Sequence, residues 1–410
     1  MRNHFSLVVV ALGAALLPSF ASAQGKLPFL KAEGTRIVTS AGHPVVLRGF
    51  NLGNWLVEEM WLSPFDTDPP AGSEFKKIND HVRLHQTFVA RFGQEKADRL
   101  LDSWRANFLT SEDFARLKAE GVNCVRLPFT YDLESEPGGL FRWLDFAVAQ
   151  ARVNGIYVIL DLHGAPGRQG IEHHTGEEGV NQFFADAKFR AQTVQLWGKI
   201  AAHYKDEPAV AGYDLLNEPV SAPNASSLHF VHSTLYEAVR AVDPNHIVII
   251  EDGYKNLDQM PDPRIMGWKN VMYSMHSYKF DAKTADDYDG HLKWWVMAQS
   301  KGVQDKWQVP VYVGEWNLEP HGNPEKARMY AQTFDAANIS WSLWTYKTTS
   351  KWGGSMWGLY TPKTGLKAIN PFTDSFEQIE AAMPEIRTEN LVRNPDLAAA
   401  LAPSTATTPQ

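Results

Sequence analysis

Residues 211–219, with the sequence AGYDLLNEP, are typical of a buried strand that ends in a carboxylate. Pro219 cannot donate a hydrogen bond to a sheet and disfavours the helical conformation at the preceding residue, so the strand is expected to stop at Glu218. The sequence VPVYVGEW at residues 309–316 repeats this arrangement and places Glu315 at a second strand end. Two glutamates at strand ends predict a site with paired carboxylates.

Composition narrows the class of protein. The chain has 410 residues, of which 44% are hydrophobic and 21% charged, as in ordinary globular proteins. The net charge is −8 and no basic stretch carries interleaved aromatic residues, so nucleic acid is not expected as a partner. The single cysteine, Cys124, cannot form an internal disulfide and is expected to be buried and inert. The 14 tryptophans and 13 tyrosines suit sugar binding or the filling of a large core equally well.

Both ends of the chain have compositions of their own. Residues 1–23 combine Arg2, an apolar run and the small residues Ala21-Ser22-Ala23, which predicts a cleavable signal peptide. The apolar run is shorter than the ~20 residues that a membrane span requires, so we expect a secreted or periplasmic protein without a membrane partner. The small, polar residues near the C-terminus predict a disordered tail over residues 388–410. The catalytic domain is then expected to occupy residues 24–387.

Between these ends a unit of helix, short turn and strand recurs. The eight expected strands are residues 47–51, 122–129, 156–163, 210–218, 246–251, 270–278, 309–315 and 339–346. Their apolar runs are continuous, as in parallel strands that are covered on both faces. This pattern predicts an α/β fold, a single (β/α)8 TIM barrel, with an N-terminal hairpin and a helical insertion near residues 80–106 after strand 1. An open doubly wound sheet is the alternative, but no glycine-rich phosphate loop follows the first strand.

Polar side chains follow one strand after another. They are Asn51, Asn54, Arg126, His163, Asn217, Glu218, Glu251, His276, Tyr278, Glu315 and Trp344. The carboxyl ends of the strands of such a barrel meet at one face, where the active site lies. We therefore expect these side chains to converge.

Two carboxyl groups about 5–5.5 Å apart can cleave a glycosidic bond through a covalent intermediate, whereas a wider pair admits a water and inverts the sugar. Arg126 and Tyr278, if they lie close to Glu315, would favour its ionised form and make it the nucleophile. Glu218 is expected in a less cationic setting, where exclusion of water raises its pKa and makes it the acid/base. This mechanism needs neither a metal nor a cofactor, and we expect none.

Plainer interpretations of the same residues remain open. Glu218 could form a buried salt bridge with Arg126, and His276 and Tyr278 could be ordinary core residues. Glu251 and Asp252 are interpreted as structural or subsite-lining, without a chemical role. The other ambiguous groups are Glu172-His173-His174, which could hold a metal but more often would be solvated, and Trp352 and Trp357, which could be sugar platforms or lid packing.

The motifs Leu216-Asn217-Glu218-Pro219 and Gly314-Glu315-Trp316 resemble those of glycoside hydrolase family 5, in the retaining clan of (β/α)8 hydrolases. The resemblance spans roughly residues 47–360 and implies that Glu218 is the acid/base and Glu315 the nucleophile. It also implies that Asn217 binds the sugar 2-hydroxyl and that Trp344 forms the floor of the −1 subsite. The remaining positions at which that family keeps active-site residues are Arg126, His163, His276 and Tyr278.

Within that family, residues 47–61, LRGFNLGNWLVEEMW, are similar to the first strand and loop of exo-β-1,3-glucanases. By this resemblance Glu59 would hold hydroxyls of a terminal glucose, but His173 replaces an acidic residue that helps those enzymes grip the chain end. We therefore expect a monomeric hydrolase of β-glucosidic bonds in glucans or β-glucosides, and these departures leave exo and endo action both open. An endo-β-1,4-glucanase, a mannanase, or a glycolipid or diglycoside hydrolase is the alternative within the family. A catalytically silent carbohydrate-binding barrel is the alternative from another class.

Overall fold

The computed structural model describes residues 27–253, 256–351 and 357–403, which form an α/β barrel preceded by a small antiparallel sheet. That sheet contains strands β1 (Leu30–Glu33), β2 (Arg36–Thr39) and β3 (Pro44–Val45). The expected N-terminal hairpin is therefore present, with β1 as an additional strand. The expected signal peptide, residues 1–23, lies outside the described residues.

Eight parallel strands close into the barrel that the sequence predicts. They are β4 (Arg48–Asn51), β5 (Cys124–Thr130), β6 (Tyr157–Gly164), β7 (Val210–Asp214), β8 (Ile247–Glu251), β9 (Val271–Ser277), β10 (Val311–Trp316) and β11 (Ser340–Leu343). Neighbours in sequence pair in space around the ring, and β11 pairs with β4 to close it. The main difference from the expected boundaries is at β7, which ends at Asp214, so that Glu218 lies in an irregular segment beyond the strand.

Helices pack around the barrel and lie at its ends. They are α1 (His81–Phe92), α2 (Gln94–Phe108), α3 (Ser111–Ala119), α4 (Phe141–Asn154), α5 (Ala187–Tyr204), α6 (Ala225–Arg240), α7 (Pro263–Met266), α8 (Asp287–His291), α9 (Ala298–Trp307), α10 (Pro324–Ala336), α11 (Phe376–Ala382) and α12 (Pro395–Leu401). The expected helical insertion is the pair α1 and α2. They are separated at Gly93, whose φ of +83° glycine adopts without strain. Asp80 caps α1 by accepting a hydrogen bond from the backbone N–H of Arg83 at 2.7 Å.

The amino-terminal end of the barrel is apolar. Side chains from the strand starts, including Cys124, Ile159 and Tyr312, pack together with Leu30 and Ile37 of the small sheet. Burial raises the pKa of the Cys124 thiol, which is consistent with the inert role expected for it. Because this end is filled, polar chemistry is confined to the opposite end, where the strands terminate.

The prediction of a disordered tail from residue 388 is wrong for residues 388–403. Strand β13 (Val392–Arg393) pairs with β12 (Tyr360–Thr361), and α12 follows it. Asn394 caps α12, and Leu397 and Leu401 are buried, so the segment has enough apolar surface to pack. Residues 404–410 of the expected tail lie outside the described residues. Within the described ranges no helix combines the length and the apolar character that crossing a membrane requires.

Candidate active site

Arg126, at the centre of β5, organises the carboxyl end of the barrel. Its guanidinium is fully buried and lies 2.8–3.1 Å from one carboxylate oxygen of each of four acidic residues: Asp161, Asp214, Glu251 and Glu315. Burial opposes the charged form, but these carboxylates outweigh burial and raise the pKa of Arg126 well above its ordinary value. The site therefore has a permanent positive charge at its base.

Glu315 lies near the end of β10, where the strand is irregular. The register of β10 with β9 shifts between Val313 and Glu315, as at a β-bulge. A Cβ atom on Gly314 would lie 2.8 Å from Ser274 Oγ and 3.2 Å from His276 Nε2, so only glycine fits this position without displacing its neighbours. The bulge at glycine directs the next side chain, Glu315, into the barrel mouth.

Two groups hold the Glu315 carboxylate. Arg126 Nη1 donates to Oε1 at 2.8 Å, and the Tyr278 hydroxyl donates to Oε2 at 2.7 Å. Burial raises the pKa of Tyr278, and the charge of Glu315 raises it further, so the phenol keeps its proton and remains a donor. The structure places both partners of Glu315 where the sequence leads us to expect them.

Glu218 occupies a turn of unusual conformation beyond β7. Its φ is +39°, in the left-handed region that a residue with a Cβ atom rarely adopts. Its backbone N–H donates to Glu251 Oε2 at 2.7 Å. Its side chain is 28% exposed, and the carboxylate faces the cleft.

Imidazoles surround the Glu218 carboxylate. His276 Nδ1 lies 2.6 Å from Oε1, and His174 Nε2 lies 3.5 Å from Oε2. Burial would raise the pKa of Glu218, but the hydrogen bond from His276 and the charges of His276, His174 and His163 together lower it. The expected less cationic setting for Glu218 is therefore wrong. Nothing in the sequence indicates that His174, which belongs to a long loop, turns inward.

His276 connects the two glutamates. Burial disfavours its charged form, but Glu251 and Glu315 outweigh burial and, with the hydrogen bond to Glu218, raise the pKa of His276 well above its ordinary value. One carboxylate oxygen of Glu218, one of Glu315 and a ring nitrogen of His276 all lie within 4.8 Å of one another. The two carboxylates thus lie close together, with the His276 imidazole beside both.

His163 and Trp344 form one wall of the cleft. The Trp344 and His163 rings stack at 5.6 Å between centroids with an interplanar angle of 15°. Asp161 Oδ2 lies 2.7 Å from His163 Nδ1, and Arg126 Nη2 donates to Asn217 Oδ1 at 2.8 Å. The Asn217 oxygen is occupied by this hydrogen bond, and its amide nitrogen faces His163 and His174.

Glu59 lines the cleft together with two partners, Trp61 and His173. Trp61 Nε1 donates to Glu59 Oε2 at 2.8 Å, and His173 Nε2 lies 3.1 Å from the same oxygen. The hydrogen bond with Glu59 raises the pKa of His173 despite its burial, and the charge of His173 in turn helps lower the pKa of Glu59 against burial. The adjacent His173 and His174 therefore diverge, one to Glu59 and the other to Glu218.

These side chains enclose a cavity of about 500 Å³, within the usual size range of a small-molecule pocket. It is lined by Glu59, Trp61, His163, His173, His174, Glu218, Tyr278, Phe280, Glu315, Trp344 and Trp357. The rim is aromatic: Trp61 meets Trp357 edge to face at 4.8 Å, and Phe280 stacks on Tyr278 at 5.2 Å. The sequence pointed to Trp357 but not to Trp61 or Phe280, and Trp352 lies outside the described residues.

Comparisons with known proteins agree with this arrangement. Residues 85–350 match the model of the family described as cellulase (glycosyl hydrolase family 5). The chain is 29% identical over 354 residues to a "Beta-xylosidase" of Phanerodontia chrysosporium, which covers 78% of this chain and 71% of that protein. It is 31% identical over 283 residues to a "Probable glucan 1,3-beta-glucosidase A" of Aspergillus fumigatus, which covers 66% of this chain and 65% of that protein.

Solved structures share the fold at low sequence identity. An endogalactoceramidase structure matches with a TM-score of 0.59 and 20% identity, over 86% of this chain and 85% of that one. A rutinosidase from Aspergillus niger matches with a TM-score of 0.58 and 16% identity, over 82% of this chain and 97% of that one. At this level of identity the likeness concerns the fold alone.

Proposed function

Because this chain belongs to glycosyl hydrolase family 5 and is a glycoside hydrolase, we propose that it is a retaining β-glycosidase acting on β-glucosidic bonds of glucans or β-glucosides. The observation that carries the proposal is the approach of Glu218 and Glu315 to within 4.8 Å, oxygen to oxygen. This spacing fits the ~5–5.5 Å between the carboxyl groups of retaining enzymes and leaves too little room for the extra water of an inverting pair.

In the first step, Glu315 attacks the anomeric carbon while the leaving oxygen takes a proton from Glu218, which shares one proton with His276 across their 2.6 Å contact. The bond between carbon and the leaving oxygen breaks as the bond to Glu315 forms. In the second step, Glu218 takes a proton from water, whose oxygen displaces Glu315 from the sugar. Arg126 and Tyr278 support this division of roles, because both donate to Glu315 and neither contacts Glu218.

The position of Glu59 in the cleft supports a sugar as the bound unit. Held by Trp61 and His173, Glu59 would present its carboxylate to sugar hydroxyls. Asn217 would donate to the 2-hydroxyl, and Trp344 would lie under the sugar ring. The similarity to a "Probable glucan 1,3-beta-glucosidase A" also supports a β-glucan substrate.

The aromatic rim supports a second candidate, a β-glycoside with an apolar aglycone such as a glycolipid or a diglycoside. Phe280 is 65% exposed and Trp61 38% exposed, so their rings are accessible to an apolar group at the rim of the cleft. Trp357 contacts both Trp61 and Phe280, so the three rings form one apolar surface on the rim. A panel of laminarin, cellulose oligomers, mannan, aryl β-glucosides and an alkyl β-glucoside separates the candidates.

The experiment measures release of product and its first-formed anomer by proton NMR. We expect β-product from β-glucosides, and laminarin or a glucoside as the preferred substrate. An α-product would contradict the retaining mechanism. Binding of these sugars by calorimetry without release of reducing sugar would instead support a catalytically silent binding protein.

The location of the protein is a further part of the proposal. Residues 1–23 would be removed as a signal peptide, and the mature monomer would act in the periplasm or outside the cell. The corrected catalytic domain runs from residue 24 to about residue 403, because α12 packs against α10. Amino-terminal sequencing of the exported protein tests the cleavage site, and intact residues 1–23 on that protein would contradict it.

A further inference from the structure

Glu251, at the end of β8, is a buried carboxylate beside the acid/base with no role in the mechanism above. It is 2% exposed and is not among the residues that line the cavity. Its Oε2 accepts the backbone N–H of Glu218 at 2.7 Å, and its Oε1 accepts from Arg126 Nη2 at 2.9 Å. The same Oε1 lies 3.3 Å from His276 Nε2. Glu251 therefore contacts both members of the Glu218–His276 pair.

The contact with the backbone bears on the conformation of Glu218. A left-handed φ of +39° is strained for a residue with a side chain, and the surroundings have to hold it. The amide of Glu218 points at Glu251, and the following Pro219 has no N–H of its own. The Glu251 carboxylate thus fixes the turn that aims Glu218 into the cleft.

The contact with His276 affects the proton that the Glu218–His276 pair carries. The imidazole lies between two glutamates, with Nδ1 on Glu218 and Nε2 near Glu251. Burial opposes ionisation of Glu251, but His276, Arg126 and the Glu218 amide outweigh it and lower the pKa of Glu251 to about 2. Glu251 is therefore ionised whenever the enzyme works, and its charge favours the protonated imidazole.

We propose that Glu251 is a positioning residue for proton transfer, which holds the Glu218 turn and keeps a transferable proton on the Glu218–His276 pair. The inference rests on the proposed function of Glu218 as acid/base. When the leaving oxygen takes the proton, the pair becomes a carboxylate and a neutral imidazole. The attacking water returns one proton to the pair in the second step, so the cycle balances.

Other charged or titratable groups also face this pair and set the background of its titration. They are Arg126 on β5, His163 on β6, His174 on the loop after β6, Asp252 after β8, Tyr278 after β9 and Glu315 on β10. Among these groups none accepts the Glu218 amide. The test therefore changes Glu251 alone and leaves this background intact.

The variant Glu251→Gln keeps the shape and removes the charge. Loss of a negative charge near His276 lowers the pKa of the pair, so the basic limb of kcat/KM against pH should move to lower pH by about one unit. Turnover of β-glucosides with poor leaving groups, which need protonation, should fall ~100-fold. Turnover of aryl glucosides with good leaving groups should fall less than ~10-fold. A folded variant with an unmoved limb, or with equal losses on both substrate classes, would overturn the inference.

Two further variants separate charge from packing. Asp161→Asn removes another buried carboxylate that lies 3.1 Å from Arg126 Nη2, but Asp161 contacts His163 and not the Glu218–His276 pair. We expect it to reduce both substrate classes alike, because Asp161 acts through Arg126 and His163. Glu251→Asp keeps the charge, so the basic limb of kcat/KM against pH should stay in place. Its shorter side chain reaches the Glu218 amide less well, so turnover of substrates with poor leaving groups should fall more than turnover of aryl glucosides with good leaving groups. If Glu251→Gln does not fold, Glu251→Asp is used for the test instead. The inference would be overturned if Glu251→Asp turned over the two substrate classes in the same ratio as the wild type.

A readout that needs no turnover distinguishes this inference from the proposed function. In 15N-histidine NMR, with His276 assigned by difference from His276→Asn, the imidazole should lose its proton at lower pH in Glu251→Gln than in the wild type. Identical titrations in the two proteins would overturn the inference even if the enzyme is a glycosidase. Absence of hydrolysis by the wild type on every substrate, with the NMR difference present, would instead count against the proposed function alone.

Discussion

The surroundings of the two central glutamates differ in a way that matches two different tasks. Glu315 lies within a strand, and its partners are Arg126, which remains charged, and Tyr278, which keeps its proton. Glu218 lies in a left-handed turn beyond its strand, and its partners are imidazoles, a type of side chain that can both accept and donate a proton. A nucleophile needs neighbours that do not give it a proton, because protonation would occupy the lone pair that attacks the sugar. An acid/base needs neighbours with which it can exchange a proton.

The largest effect that this comparison predicts is at Glu315. Glu315→Ala removes the nucleophile, so turnover of all β-glucosides should fall at least ~10⁴-fold. Azide can enter the vacated side of the sugar and displace an activated leaving group, which gives the inverted α-glycosyl azide. Proton NMR of the product identifies the anomer. A β-azide would assign Glu315 to the other role.

The second prediction concerns Glu218. Glu218→Ala should reduce turnover of glucan ~10²–10⁴-fold but should reduce formation of the glycosyl-enzyme from aryl glucosides with good leaving groups far less. Azide should here give the β-glycosyl azide, because it replaces the water of the second step. Steady-state kinetics across a series of leaving groups checks this. Equal losses for every leaving group would remove the distinction between the two glutamates.

The third prediction concerns the fixed donor on Glu315. Tyr278→Phe removes a hydrogen bond to a charged group, which is worth about 1.5–3 kcal/mol, so kcat/KM should fall about 10–100-fold. Tyr213→Phe is the matched control, because the Tyr213 hydroxyl donates to Asp243 at 2.7 Å away from the cleft. The control should lower the thermal midpoint without a comparable loss of kcat/KM. Equal kinetic losses in both variants would show that Tyr278 acts only on stability.

The smallest predicted effect is on the pH dependence of stability near Glu218. Burial and the neighbouring charge of Glu251 raise the pKa of Asp252 to about 7, against about 3.9 in an unfolded chain. Between these values the folded state binds more protons than the unfolded state, so this group makes the wild type less stable as pH rises from about 4 to 7. Asp252→Asn has no carboxyl group at this position and therefore does not lose this stability. As pH rises over that interval, its thermal midpoint should rise relative to that of the wild type.

The control for that prediction is Asp305→Asn, which removes one negative charge at an exposed helical position. Its thermal midpoint should stay parallel to that of the wild type across the same pH interval. If Asp252→Asn is also parallel, the carboxyl of Asp252 titrates normally. The titratable groups around Glu218 would then influence one another less than the comparison of the two glutamates implies.

The strand-end residues were predictable because a parallel barrel brings consecutive carboxyl ends to one face whatever the loops do. This rule predicted that Arg126, Tyr278 and Glu315 lie near one another, and the continuous apolar runs predicted the eight strands. The rule failed beyond the strand ends. It could not give the left-handed turn at Glu218 or the inward direction of His174, since both depend on loop contacts made at long range.

Two other discrepancies have equally local causes. Glu251 was set aside because nothing in its own segment shows that the amide of Glu218 and the imidazole of His276 converge on it. Helix α12 was missed because it is short, and its Leu397 and Leu401 are buried only against parts of the chain that are remote in sequence. In both cases tertiary contact, and not local pattern, decides the structure.

The most direct test of the two roles uses the wild-type protein and a 2-deoxy-2-fluoro-β-glucoside with a good leaving group. The fluorine slows hydrolysis of the glycosyl-enzyme, so the sugar should remain attached to its nucleophile. Peptide mapping by mass spectrometry should find the fluorosugar on Glu315 and on no other residue. A sugar attached to Glu218, or turnover that proceeds with inversion and without any attached sugar, would contradict the account.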